Sequence, residues 1–129
     1  MAGKKILIVE DNEQNMELFR DLLTSKGYVI VEATDGETAI DKVYKERPDL
    51  ILMDIQLPKF DGAEITRRLR EDSSIDTTII IAITAHAMKG DKETFLKSGF
   101  NDYVSKPINI SSLLQTIENH LHGSVSRKS

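Results

Sequence analysis

The chain has 129 residues, with 17 Lys plus Arg, 21 Asp plus Glu and a formal charge of −4. That length suits one domain, and 40% hydrophobic with 29% charged residues can fill a normal core, which excludes a disordered or collagen-like chain. The absence of Cys excludes a disulfide framework, thiolate zinc and iron–sulfur sites and a thiol nucleophile. The longest apolar run, Ile79 to Ile83, is far shorter than the ~20 residues of a membrane span. Lys4 and Lys5 precede only a short apolar run before Glu10 and Asp11, so no secretory signal is expected and a cytoplasmic location follows. A net negative charge without a basic run argues against nucleic acid as a partner.

In chain order, short β-branched apolar runs at 6–9, 28–31, 50–53 and 79–83, and the weaker Tyr103-Val104, predict five buried strands. A first helix carrying Met16, Phe19, Leu22 and Leu23 closes at Gly27. A second, 36–47, buries Ala39, Ile40, Val43 and Tyr44 and stops at Pro48. A third, 63–71, shows a thin stripe of Ile65 and Leu69, and a fourth, 89–98, has only Phe95 and Leu96 as anchors. In the fifth, Ile110, Leu113, Leu114, Ile117 and Leu121 follow helical spacing, with Asn109 or Ser111 as cap. Residues 1–123 then form the domain and 124–129 a polar tail.

Strands alternating with helices, with nearly all-apolar interiors, predict an α/β fold, a doubly wound five-stranded parallel sheet with five helices. The common flavodoxin-like order 2-1-3-4-5 leaves a crevice outside the carboxyl ends of strands one and three. The residues following the strands converge there: Glu10 and Asp11, Asp54, Thr84, and Ser105 leading to Lys106 and Pro107. Carboxylates sharing a small site repel one another unless a cation neutralises them, and oxygen ligands without His or Cys select Mg²⁺, or Mn²⁺. A metal, an ammonium and a hydroxyl together make a phosphoryl clamp, with Asp54 as the candidate nucleophile. Taken singly, each residue reads more simply: a solvated strand-end Asp, an exposed acidic turn, a β-branched strand residue, a turn lysine before Pro107. The set favours the clamp, and Pro58 and Gly62 shape the loop after strand three.

These residues stand in a recognisable pattern. Ile6-Leu7-Ile8-Val9-Glu10-Asp11-Asn12, Leu50-Ile51-Leu52-Met53-Asp54-Ile55-Gln56-Leu57-Pro58, Asp61-Gly62, Ile83-Thr84-Ala85 and Lys106-Pro107 resemble, in order and spacing, the receiver domains of two-component response regulators. The likeness extends over about 4–122 and includes stand-alone regulators and the receivers of hybrid histidine kinases. It implies that Asp54 accepts phosphate from a phosphohistidine on a histidine kinase or histidine phosphotransfer protein. Mg²⁺ is then held by Asp11, Asp54 and the Gln56 backbone carbonyl, with Glu10 acting through metal-bound water. Lys106 pairs with phosphoryl oxygens, Thr84 donates its hydroxyl, and Tyr103 turns inward with Thr84, which switches the face of helix four, strand five and helix five toward a downstream protein target. Gln56 and His86 are candidate modulators of acyl-phosphate hydrolysis, and a plain surface role for His86 is an equal alternative.

Other folds fit less well. A flavodoxin-like nucleotide binder needs hydroxyls and donors where Glu10, Asp11 and Glu13 stand, and a haloacid-dehalogenase-like phosphatase needs a carboxylate where Gln56 stands. No Gly-rich turn follows strand one. His120 and His122, two apart on a helix, face different sides and read as solvated, not as zinc ligands. A binding module with decayed chemistry is the rival from another class, although every acceptor-site residue is present. Met1 and the polar tail favour a short complete protein over an excised receiver.

Overall fold

Apolar side chains alternate between the two sides of each strand, and this period of two divides the core into two layers. The computed structural model describes residues 3–55, 62–75, 77–85, 93 and 96–123. Its elements are β1 (Lys5–Val9), α1 (Glu13–Ser25), β2 (Val29–Ala33), α2 (Gly36–Glu46), β3 (Leu50–Asp54) and α3 (Gly62–Arg70). A short 3₁₀ turn (Ser73–Ile75), β4 (Ile79–Thr84), β5 (Asp102–Ser105) and α4 (Ile110–Glu118) follow, and the last helix runs on into a π turn, Asn119–Gly123. All strand pairs are parallel and the order is β2-β1-β3-β4-β5, as expected. Four α-helices lie among the described residues. The expected helix at 89–98 falls largely outside them, Phe95 included, as do Gln56, Pro58, His86 and the tail at 124–129.

On one side of the sheet, Leu7, Val9, Ile51, Met53, Ile80 and Ala82 pack against Ala39 and Val43 of α2 and Ile65 and Leu69 of α3. On the other, Ile6, Ile8, Leu50, Leu52, Ile81 and Ile83 meet Met16, Phe19 and Leu23 of α1 and Leu113 and Ile117 of α4. Each Val, Leu, Ile, Met or Phe among them, fully withdrawn from water, contributes about 1.5–3 kcal/mol. Local signals place the helices that supply these faces. Asn12, Asp35 and Asn109 accept hydrogen bonds from Asn15, Thr38 and Ser112 N–H and so cap α1, α2 and α4. Arg47 ends α2 in the left-handed region (φ 48°) immediately before Pro48, and its guanidinium lies 5.3 Å from the centre of the Tyr44 ring.

Several expectations need correction. Ile110, the first residue of α4, is 45% exposed, so the buried stripe of the helix begins at Leu113, while Ile108 just before the helix packs against the same core. Leu96, expected as an anchor, is 46% exposed. Tyr44 lies at the surface, where its hydroxyl donates to Asp72 at 2.7 Å. The two C-terminal histidines are engaged: His120 meets Asp102, and the His122 ring stacks on Tyr28.

The approach to β5 depends on Arg70 at the end of α3. Its guanidinium donates to the Gly99 and Ile75 carbonyls and to Asn101 Oδ1, which also accepts from Ile80 N–H. Gly99 has φ +106°, and a methyl group there would lie 2.8 Å from Arg70 Cγ, so both backbone and space demand glycine. On the same helix, Thr66 is fully buried and its Oγ1 has no hydrogen-bond partner among the described residues. Thr66→Val keeps the shape and removes the unpaired hydroxyl, so it should stabilise the protein by about 1 kcal/mol, read as a higher urea midpoint at unchanged m. A lowered midpoint would refute this account of the site.

Candidate functional site

Strand parity sets the side of the sheet from which each strand-end group approaches the crevice. Glu10, Asp54 and Lys106 continue the alternation of Ile8, Leu52 and Val104, whose side chains lie on the α1/α4 side. Thr84 and Tyr103 continue that of Ala82, on the α2/α3 side. β1 pairs with β2 on one flank and β3 on the other, so the connections diverge and leave a crevice beyond their carboxyl ends. Glu10 and Asp11 enter it from β1, Asp54 from β3, Thr84 from β4 and Lys106 from just beyond β5.

The backbone holds these groups close. Asp54 is in register with Ile83, Ile55 N–H donates to the Ile83 carbonyl, and Lys106 N–H donates to the Thr84 carbonyl at 2.7 Å. Lys106 Nζ lies 3.1 Å from Asp54 Oδ2, and the Lys106–Pro107 peptide is cis. Asp54, Glu10 and Thr84 are 2%, 1% and 2% exposed, whereas Asp11 is open to solvent. Oxygens of Glu10, Asp11 and Asp54 all lie within 4.8 Å of one another. Tyr103 is half-buried, in register with Ala82 two residues before Thr84 and on the same side of the sheet as Thr84. Gly62 opens α3 directly behind the acidic edge: a methyl group there would stand 2.7 Å from Ile55 Cα and 2.9 Å from the Asp54 carbonyl.

Sequence reasoning passed over Asn12. Besides capping α1, its backbone N–H donates to Glu10 Oε2 at 3.1 Å, fixing that carboxylate. The signal was an Asn immediately ahead of a helix, directly after the acidic pair. Glu10 Oε1 is left buried with no hydrogen-bond partner among the described residues. Burial, with the adjacent Asp54 charge adding to it, raises the Glu10 pKa from its ordinary 4.5 to about 7, against the opposing pull of Asn12 N–H and Lys106. An orphaned, buried carboxylate oxygen among further carboxylates is a donor set for a hard divalent cation.

The raised pKa has a consequence for the metal-free protein. The folded state holds the Glu10 proton more tightly than the unfolded chain, so its contribution is fully present below pH 4.5 and is lost as pH rises to about 7. The loss is on the order of 3 kcal/mol. With chelator present, wild type should therefore lose stability relative to Glu10→Gln across that interval in denaturant titrations. A gap between the two proteins that does not change with pH would contradict it.

Comparison with known proteins agrees with this geometry. Residues 6–118 match the response regulator receiver domain family. The polar-differentiation response regulators DivK of Brucella anthropi and Brucella abortus are 47% and 46% identical over 118 residues, covering 92% of this chain and 96% of theirs. The chemotaxis response regulator CheY4 of Vibrio cholerae superposes with a TM-score of 0.87 at 28% identity, covering 93% of this chain and all of its own. The receiver domain of a sensor histidine kinase from Pseudomonas aeruginosa, solved with magnesium coordinated in its active-site cleft, gives 0.81 at 39% identity over 92% of this chain and 97% of its own. The chain belongs to the response regulator receiver family of two-component signalling.

Proposed function

We propose that the protein receives a phosphoryl group on Asp54 from a phosphohistidine of a histidine kinase or histidine phosphotransfer protein and signals through altered protein contacts. The observation that carries this is the environment of Asp54: a buried carboxylate with an ammonium at 3.1 Å and carboxylate oxygens of Glu10 and Asp11 within 4.8 Å. An Asp54 oxygen forms a bond to phosphorus while the nitrogen–phosphorus bond of the donor breaks and its electron pair returns to the imidazole. Release reverses the gain, as water attacks phosphorus, the oxygen–phosphorus bond breaks, and inorganic phosphate leaves Asp54 as a carboxylate.

Asp11, Asp54 and the Gln56 carbonyl, with Glu10 directly or through water, are the groups that would hold Mg²⁺ or Mn²⁺, which when bound neutralises phosphoryl charge. Lys106 opposes charge developing on the transferred group, and Thr84, tied to Lys106 through its own carbonyl, donates its hydroxyl to a phosphoryl oxygen. Tyr103, on the side of the sheet shared with Thr84, follows that hydroxyl and alters the surface around β5. Gln56 and His86 modulate hydrolysis. The protein catalyses only its own phosphorylation and dephosphorylation. Its place of action is cytoplasmic, and no described helix is long and apolar enough to cross a membrane.

Incubation with acetyl phosphate and Mg²⁺, followed by intact mass measurement, should add one phosphoryl group to wild type and none to Asp54→Ala. Mg²⁺ with beryllium fluoride should raise the melting temperature of wild type alone. An unlabelled wild type that also shows no thermal shift would favour a binding module without phosphoryl chemistry. Gly62→Ala, which drives a methyl group against the Asp54–Ile55 backbone, should slow labelling by at least about tenfold and cost on the order of 1–3 kcal/mol of stability. Labelling at the wild-type rate would show that this backbone has room to yield.

A further inference from the structure

We propose that His120 and Asp102 form a latch that couples the C-terminal turn energetically to the Asp54 site. The inference rests on Asp54 as phosphoacceptor and assigns a route by which its state reaches a remote segment.

β5 is an edge strand of four residues, paired among the described residues with β4. Lys106 N–H points inward to the Thr84 carbonyl, so by alternation Tyr103 N–H points to the open edge. There Asp102 Oδ1 accepts it at 2.8 Å. The second oxygen of the same carboxylate accepts from His120 Nε2–H at 3.0 Å, with both side chains about a quarter exposed (28% and 27%). One carboxylate therefore grips the strand backbone with one oxygen and the turn Asn119–Gly123 with the other.

The turn is also held from its other side. Leu121 packs against the α1/α4 core, and the His122 ring stacks on the buried Tyr28, with centroids 6.5 Å apart and planes inclined at 19°. Tyr28 leads into β2 and Asp102 opens β5, the two outer strands of the sheet. This turn thus contacts both the residue that leads into one edge strand and the residue that opens the other.

At its far end β5 passes directly into Lys106, which lies 3.1 Å from Asp54. Movement of Lys106 toward a phosphoryl group is therefore transmitted along a four-residue strand whose first residue is bound to His120. Coupling free energies are reciprocal, so a phosphoryl group that alters the latch must be bound more or less tightly when the latch is cut. A hydrogen bond of ordinary net strength corresponds to a change of about threefold to tenfold.

Beryllium fluoride titrations with Mg²⁺, followed by NMR, test this on wild type, His120→Ala and His120→Gln, whose amide retains a donor. In wild type the His120 imidazole signals should move with the same midpoint as the Thr84 and Lys106 amides. His120→Ala should shift that midpoint at least threefold, and His120→Gln should return it toward wild type, which a merely structural role would not do. The imidazole readout needs no variant, so it stands even if His120→Ala fails to fold. Responsive Thr84 and Lys106 amides beside an unmoved His120 ring would overturn the latch and leave the phosphoacceptor intact. Unresponsive Thr84 and Lys106 amides would remove both.

Discussion

Excess negative charge at the carboxyl edge of the sheet is the constraint on which the rest of the structure turns. Glu10 and Asp54 are withdrawn from water, Asp11 lies beside them, and the Lys106 ammonium stands against Asp54. One cation cannot balance three carboxylates, and water cannot reach the buried pair to screen it. The protein alone meets the excess by raising the proton affinity of Glu10. A divalent cation relieves the same excess without a proton and leaves room for further oxygens from a phosphoryl group. The raised proton affinity of Glu10 and a donor set suited to a divalent cation therefore have one origin.

The scaffold supplies the burial and holds the charges in place against their repulsion. β1, β3 and β4 are apolar on both sides, so the groups at their ends stand on strands that cannot yield easily. Asn12 fixes Glu10 from the first turn of α1, and Gly62 lets α3 begin in contact with the Asp54–Ile55 backbone. β5 is the exception: short, at an edge, and partly exposed. It is tied down by side chains at its start, through the Arg70–Asn101 contacts and the Asp102–His120 pair, and by Lys106 N–H at its end. The strand that delivers the ammonium is thus an edge strand, like β2, with a single buried residue, and it is held at both ends by polar contacts.

Much of this was legible in the chain because it rests on local rules. Strand positions followed from short β-branched runs, and Gly27 and Pro48 closed α1 and α2 where their backbone chemistry requires. Asn109 announced α4, although Ile110 beside it proved to be surface, since helical spacing marks a stripe without saying which of its residues meet the core. The reading of His120 and His122 as solvated was incomplete for a related reason, although His122 is exposed as expected. Their spacing places them on different sides of a helix, but only the arrival of Asp102 and Tyr28 from distant parts of the chain gives each side a partner. The unpaired hydroxyl of Thr66 and the crowding behind Gly62 have no signature in sequence, because both depend on what the neighbouring backbone occupies.

The sequence by itself determined the alternation of strands and helices, the doubly wound class and the set of acidic, hydroxyl and amine groups available at the strand ends, since these follow from periodicity and residue type. Only the tertiary structure decided which of them share an environment. Strand register brought Thr84 and Lys106 together and set Glu10 and Asp54 on one side of the sheet, and burial converted an ordinary glutamate into one that keeps its proton near neutrality. Register and burial are properties of packed neighbours far apart in the chain, so no local pattern of residues encodes them.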